Sequence, residues 1–505
     1  MRPRALAALL AAAALSACSV APVTGTFTDG PAASVRPGAA RWTPCDEVAK
    51  EIAGGTANPQ FRYSCATVTV PQDWARPKGA TFSIALMRAR AKDQRDRIGS
   101  LLMNPGGPGA SGVDLAVYLG FGLPTEVTRR FDLVGFDPRG VGRSTEVRCI
   151  PDRTKDQLGA EDPDPRTQAE FDRHVALWRQ IGTGCGRQYG TRLGLFSTEQ
   201  TARDLDAVRA AVGDTETTYL GYSYGTLLGA VYAQLFPDRV RALVLDGAVD
   251  PRQDSVASSE TQAAGFEHAF DDFAADCRRR GSGCPAGPDA RATVDRVLAR
   301  LRAAPLPGPD DRTVTAGHFL TAIVAALYTE SQWTTLSRAI ADAGAGNGTL
   351  VLRLADEYNG RRPDGTYTNM IDANTAVTCA DDADPSTPAE ARVLQQTWRA
   401  RYPLFGAALA TTLIGCSQWP GRHDPYPTGP ARGAPPILVV GTTGDPATPY
   451  RNTPVLAGML GTGVVLTWEG EGHTAYPQTA CVTRAVDAYL VARTVPPAGE
   501  RCPAS

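Results

Sequence analysis

Short apolar, β-branched runs alternate with longer mixed stretches through the first half of the chain. Runs near 61–70, 82–88, 98–103, 131–136, 217–222 and 241–246 read as strands. From about 251 to 431 that pattern stops. Phe266, Phe270, Phe273 and Cys277 share one helical face, as do Val294, Val297, Leu298 and Leu301. Further helical runs occupy 316–328, 333–343 and 388–400. Strands resume at Pro436-Ile437-Leu438-Val439-Val440 and at Gly463-Val464-Val465-Leu466-Thr467-Trp468, and a helix follows from Ala480 to Arg493. Alternation of strand and helix predicts an α/β fold with a mostly parallel central sheet covered by helices. Residues 42–250 and 432–505 would build that core, and 251–431 would be a large inserted helical lid. No internal repeat is evident.

The amino terminus adds a location. Arg2 and Arg4 precede Ala5-Leu6-Ala7-Ala8-Leu9-Leu10-Ala11-Ala12-Ala13-Ala14, then Leu15-Ser16-Ala17-Cys18. A charged start, a short apolar run and small residues describe a secretory signal too short to span a membrane. Its ending resembles the bacterial lipobox, so 1–18 is expected to be a lipoprotein signal whose Cys18 is lipidated and becomes the mature first residue. Residues 19–41, rich in Ala, Pro, Thr, Ser and Gly, read as a flexible tether. The chain has 11 cysteines, and setting Cys18 aside leaves an even number in an exported protein. Pairing sequence neighbours would give Cys45–Cys65, Cys149–Cys185, Cys277–Cys284, Cys379–Cys416 and Cys481–Cys502, although spacing alone leaves connectivity open. No two cysteines have CxxC spacing, which speaks against zinc. A net charge of −2 with interspersed signs speaks against a nucleic-acid groove.

The candidate chemistry centres on Gly221-Tyr222-Ser223-Tyr224-Gly225, between a strand and a helix free of breakers until Pro237. G-x-S-x-G in that setting is a nucleophile elbow. The turn is sharp enough to strain the serine and to press together residues that only glycine accommodates. In the α/β-hydrolase order the acid and then the histidine follow the serine, and an oxyanion donor precedes it. Upstream, the 98–103 strand feeds Asn104-Pro105-Gly106-Gly107-Pro108-Gly109. The backbone N–H groups of Gly107 and Tyr224 are therefore the expected oxyanion hole. Of five histidines, His473 alone follows a late strand and a glycine loop ahead of a last helix. Asp445, in Gly444-Asp445-Pro446-Ala447-Thr448-Pro449, is the only carboxylate in the loop after the preceding strand. Ser223, Asp445 and His473 form the expected triad, with the acid orienting the imidazole.

Several segments together resemble the tripeptidyl aminopeptidases of actinomycetes, a branch of the prolyl-aminopeptidase-like α/β hydrolases. They are Asn-Pro-Gly-Gly-Pro-Gly, Phe136-Asp137-Pro138-Arg139-Gly140-Val141-Gly142-Arg143-Ser144, Ala202-Arg203-Asp204-Leu205-Asp206, Gly-Tyr-Ser-Tyr-Gly-Thr and Gly-Asp-Pro-Ala-Thr-Pro. Within that branch the chain is similar to lipoprotein mycelium-associated proteinases and to the mycobacterial cell-envelope serine hydrolase, from Trp42 to Cys502. Prolyl iminopeptidases begin the glycine turn with His, where this chain has Asn104-Pro105, a departure from simple proline removal.

The resemblance implies hydrolysis of a peptide bond near a free amino terminus, with peptide substrates, no metal and no cofactor. It also calls for carboxylates that meet the substrate ammonium, and Asp381 and Asp382 are the candidates. The chain is expected to act as a monomer held to the membrane through Cys18. The alternative is an esterase or lipase of the same fold, because acyl-transfer chemistry does not separate ester from amide. A further alternative is a surface lipoprotein that binds peptides without cleaving them.

Overall fold

The computed structural model describes residues 38–504. Among them ten strands join in one sheet: β1 (Thr43–Pro44), β2 (Phe61–Pro71), β3 (Thr81–Ala91), β4 (Gly99–Asn104), β5 (Phe131–Phe136), β6 (Thr217–Tyr222), β7 (Val240–Asp246), β8 (Ile437–Gly444), β9 (Gly463–Glu471) and β10 (Glu500–Cys502). Their order is β1-β2-β3-β5-β4-β6-β7-β8-β9-β10. β1, β2, β3 and β5 pair antiparallel, and every pairing from β5–β4 onward is parallel.

Parallel strands are buried on both faces, which is why β4, β5 and β6 carry apolar residues at successive positions and not only at alternate ones. All six residues of each are buried, the polar Ser100, Asn104, Asp132, Thr217 and Thr218 included. Successive side chains point to opposite faces. Leu102, Val134, Tyr219 and Leu243 accordingly enter one core, while Leu101, Leu133, Leu220 and Val244 enter the other.

The DPRG segment after β5 shows what the sheet is fastened with. Arg139 and Asp204 are both fully buried and paired by two bonds, Nε–Oδ2 and Nη2–Oδ1, each 2.7 Å. Arg139 also donates to the carbonyls of Gln72, Leu195 and Pro71, and Asp204 accepts from Trp74 Nε1 at 2.8 Å. Every donor of this desolvated guanidinium that the fold uses is thus satisfied by the core.

The apolar pattern singles out no element between 137 and 216, yet two long helices form there, α1 (Gln168–Tyr189) and α2 (Thr198–Val212). Thr167 and Glu170 form a reciprocal capping box on the first, and Ser197 caps the second. The first helix hides its amphipathicity behind glycines. A Cβ at Gly182 would lie 1.9 Å from the Gln418 carbonyl, and one at Gly186 would lie 2.7 Å from Pro420. Those glycines serve close contact with the 418–420 segment rather than helix propensity.

The block between β7 and β8 is helical and has its own core, with Phe266, Phe270, Phe273, Val294, Leu298, Ile323 and Ile340. One element departs from a lid. The helix Met370–Asp381 buries Ala373, Ala376, Val377 and Cys379 in the same core as the sheet. Disulfides join Cys45–Cys65, Cys149–Cys185, Cys277–Cys284, Cys379–Cys416 and Cys481–Cys502. They fit an extracellular or envelope-associated protein. No helix of the described residues is long and apolar enough to cross a membrane. Cys18 and most of the expected tether lie outside the described residues.

Candidate active site

Ser223 sits in the one-residue gap between β6 and α3 (Tyr224–Leu235), with φ 56° and ψ −123°. That left-handed backbone is rare for a residue with a side chain and costs of order 1–3 kcal/mol. The flanking glycines are required by contact: a Cβ at Gly221 would lie 2.4 Å from the Gly225 carbonyl oxygen. The turn throws the serine side chain out of the strand while its N–H donates to the Asp246 carbonyl at 2.9 Å.

His473 lies just past β9, and its Nδ1 is 2.9 Å from both carboxylate oxygens of Asp445, just past β8. Asp445 is held by N–H groups of Ala447 (2.9 Å) and Thr448 (2.8 Å) and by the Thr448 hydroxyl (2.9 Å). The Thr448 hydroxyl is also 3.3 Å from His473 Nδ1. With Nδ1 turned to the acid, Nε2 is the free ring nitrogen. It is buried and has no hydrogen-bond partner among the described residues.

The link between Ser223 and His473 runs through Asp246-Gly247 at the end of β7. The Asp246 carbonyl takes the Ser223 N–H, and a Cβ at Gly247 would lie 3.1 Å from His473 Cε1. The Asp246 carboxylate takes the N–H groups of Ala475 (3.0 Å) and Tyr476 (2.8 Å), pinning the histidine loop from below. Burial pushes the Asp246 carboxyl up to about 7, against those two bonds. For His473, burial by itself lowers the pKa. The Asp445 carboxylate, helped by Asp246, outweighs it, and the net shift is upward.

The other four histidines are placed elsewhere. His174 meets the Asp162 carbonyl, His318 caps its helix with Thr315, His268 is exposed beside Asp272, and His423 meets the Cys379 carbonyl.

The glycine loop after β4 leans on the elbow. A Cβ at Gly106 would lie 2.6 Å from the Tyr222 carbonyl oxygen and 3.1 Å from Tyr224 N. Gly106 N–H is held by Asn104 Oδ1 at 2.9 Å and its carbonyl by Ala110 N–H at 3.3 Å. Because N–H and C=O of one peptide plane point opposite ways, the second bond aims the Gly107 N–H away from Ala110. Neither the Gly107 nor the Tyr224 N–H has a hydrogen-bond partner among the described residues. Tyr224 N also stands at a helix N-terminus, where partial positive charge collects.

The inserted block reaches this site directly. His473 N–H donates to the Tyr328 carbonyl at 2.8 Å, and the Tyr328 ring stands edge-on to the imidazole with centroids 5.2 Å apart. Thr329 and Gly472 form an antiparallel bridge. Tyr358 packs on Tyr328 and is 38% exposed, an aromatic surface open to solvent two rings from the histidine.

The carboxylates sought for an ammonium are already engaged. Asp381 accepts from the Thr198 N–H (2.8 Å) and hydroxyl (2.5 Å), and desolvation pushes it up to about 7. Asp382 accepts from the Asp384 N–H at 3.3 Å and is shifted upward, chiefly by desolvation. Each ionised carboxylate has about four lone-pair sites, so both retain acceptor capacity. Thr448, Asp246 and Tyr328 were not singled out by sequence spacing. Among the described residues no cluster of three or more His, Cys, Asp or Glu is arranged to hold a metal.

Residues 402–502 match a family model described as TAP-like protein. The chain is 38% identical to the serine protease Hip1 of Mycobacterium tuberculosis, over 91% of this chain and 90% of that one. It is 31% identical to the tripeptidyl aminopeptidase of Streptomyces coelicolor, over 85% of this chain and 80% of that one. The chain belongs to this family of α/β hydrolases. It is a serine hydrolase of the peptidase branch. Carboxylesterase B of Mycobacterium tuberculosis is another relative, 38% identical over 95% of this chain and 94% of that one.

Proposed function

We propose that the protein is an envelope exopeptidase that removes short peptides, three residues at a time, from free amino termini. Ser223 Oγ attacks the scissile carbonyl as His473 Nε2 takes its proton. Asp445 holds the Nδ1–H and stabilises the imidazolium. The oxyanion of the tetrahedral intermediate is met by the N–H groups of Gly107 and Tyr224. Collapse releases the amine, protonated by His473, and water then hydrolyses the acyl-enzyme.

The observation that carries the exopeptidase reading is the seating of the inserted block on the histidine loop. Tyr328 and Thr329 meet Gly472 and His473 through backbone bonds, which favours a cleft closed on that side and entered by a chain end. Asp381 and Asp382 are the proposed partners of the substrate ammonium. Removing that ammonium leaves two desolvated acids without a counter-charge and with acceptor sites unfilled, at roughly 1–3 kcal/mol. Amino-terminal acetylation of a good tripeptide–coumarin substrate is therefore expected to lower kcat/KM at least about tenfold. Equal cleavage of free and acetylated substrates, or internal cuts in long chains, sinks the reading.

The carboxylesterase relative favours one second reading, an esterase acting through the same groups. Turnover of acyl esters well above that of every tripeptide substrate would select it.

The proposal also includes a lipid anchor on Cys18, supported by the signal-like leader and the Pro/Gly-rich tether. Cys18→Ala is expected to abolish labelling by a clickable fatty acid and release active soluble enzyme. Equal label on wild type and variant contradicts the anchor.

A further inference from the structure

We infer that the helix α4 (Met370–Asp381) is the strut that sets both oxyanion donors, with Asn374 and Asp381 as its positioning residues. The inference rests on the proposed roles of Gly107 and Tyr224. Nothing in the chemistry of an elbow requires the inserted block to reach the hole, yet one helix of that block bonds to a neighbour of each donor, Pro108 beside Gly107 and Thr198 beside Tyr224.

Near its start, α4 carries the glycine loop. Asn374 Nδ2 donates to the Pro108 carbonyl at 3.0 Å. Gly109 packs so close that a Cβ there would lie 2.8 Å from the Met370 carbonyl oxygen and 2.9 Å from Asn374 N. Only a glycine lets the loop lie on the helix backbone. The Pro108 carbonyl lies two peptide planes beyond the Gly107 N–H, so a bond to it restrains the loop that carries that donor.

Near its other end, α4 reaches the second donor. Asp381 takes the N–H and hydroxyl of Thr198, and the Thr198 hydroxyl is 2.6 Å from the Tyr224 hydroxyl. Tyr224 is the residue after the nucleophile, and this chain of bonds fixes its side chain from outside the elbow. Helix rise of 1.5 Å per residue puts these two contacts roughly 10 Å apart along one rigid rod.

A strut must itself be fixed, and α4 is bolted to the sheet side. Asn369 bonds the Gly140 carbonyl (2.7 Å), the Val147 carbonyl (2.9 Å) and the Gly142 N–H (2.9 Å). Asp372, fully buried, takes the N–H groups of Cys149 and Ile150, each at 2.7 Å, and pairs with the buried Lys155 at 2.7 Å. The Cys379–Cys416 disulfide ties the far end.

Removing one oxyanion donor outright costs about 10²–10³ in kcat, so loosening one without deleting it should cost less. Asn374 is exposed, and Asn374→Ala is expected to leave the melting temperature unchanged. It should lower kcat about tenfold with KM unchanged. The rate of fluorophosphonate labelling and the affinity for a peptidyl boronate, both of which load the hole, should fall with kcat. Asn374→Asp, which keeps the shape and removes the donor, should match it. Tyr224→Phe, which keeps the N–H and removes the hydroxyl link, should lower the same constant by a smaller factor. Ser223→Ala in the same assay separates the two ideas. If it is inactive while Asn374→Ala keeps full kcat, or changes KM alone, the strut is wrong and the proposed mechanism stands. If Ser223→Ala stays active, the mechanism itself fails.

Discussion

Ser223→Ala, His473→Ala and Asp445→Asn are each expected to lower kcat/KM by at least about a thousandfold, as members of such a unit do. The expectation follows from what each atom is left to do in the structure. Ser223 stands just past its strand in a strained backbone conformation, with φ 56°. His473 has one nitrogen saturated by Asp445 and the other buried without a partner among the described residues. Asp445→Asn carries a second signature. The carboxylate raises the histidine pKa, and a general base acts as the neutral imidazole. The wild-type acid limb of kcat/KM should accordingly lie above the ordinary histidine value near 6.5. Removing the charge should move the residual limb to lower pH. Purified variants assayed on a tripeptide–coumarin across pH 5–9 read both effects. A retained rate in His473→Ala, with loss in His423→Ala, would reassign the base.

The second large effect is on stability. Arg139→Met keeps most of the side-chain volume but leaves the Asp204 carboxylate buried with Trp74 Nε1 as its remaining partner. Breaking a buried pair from one side costs about 3–5 kcal/mol. Urea denaturation with the disulfides intact should show that loss against wild type. The double variant Arg139→Met with Asp204→Leu removes both charges and should recover part of it, since the buried charge is gone while the Gln72, Leu195 and Pro71 carbonyls and Trp74 Nε1 still lose their partners. No loss in the single variant would mean the pair is not the fastening the geometry describes.

How much of this is legible in the chain depends on the range of the contact. Ser223, Asp445 and His473 each follow a strand whose apolar run is unmistakable, and each lies in a loop with few competitors. Local pattern therefore suffices to pick them. The five cysteine pairs are sequence neighbours and could be guessed the same way, with spans of 7 to 37 residues. The helical faces of the inserted block are local too, and Phe266, Phe270 and Phe273 are buried together.

What spacing does not carry is which distant residue leans on the site. Thr448 looks like any threonine before proline, and only the fold brings its hydroxyl between Asp445 and His473. Asp246 ends a strand like many aspartates, and its hold on Ala475 and Tyr476 crosses 229 and 230 positions. Tyr328 belongs to a helix end that pattern assigns to the lid alone. The edges of the sheet were hidden for a different reason. β1 has two residues and β10 three, too few to show any period. The sequence of α4 is helical and so falls with the lid, and helical pattern says nothing about which core the apolar face enters.

Covalent mapping tests the proposed role of Ser223 as the nucleophile most directly. The protein is treated with a fluorophosphonate, digested, and the modified peptide is located by mass spectrometry. A single adduct on Ser223 is expected, formed in parallel with loss of peptidase activity and absent in His473→Ala under the same exposure. An adduct on another serine, or full inactivation with Ser223 unmodified, would contradict it.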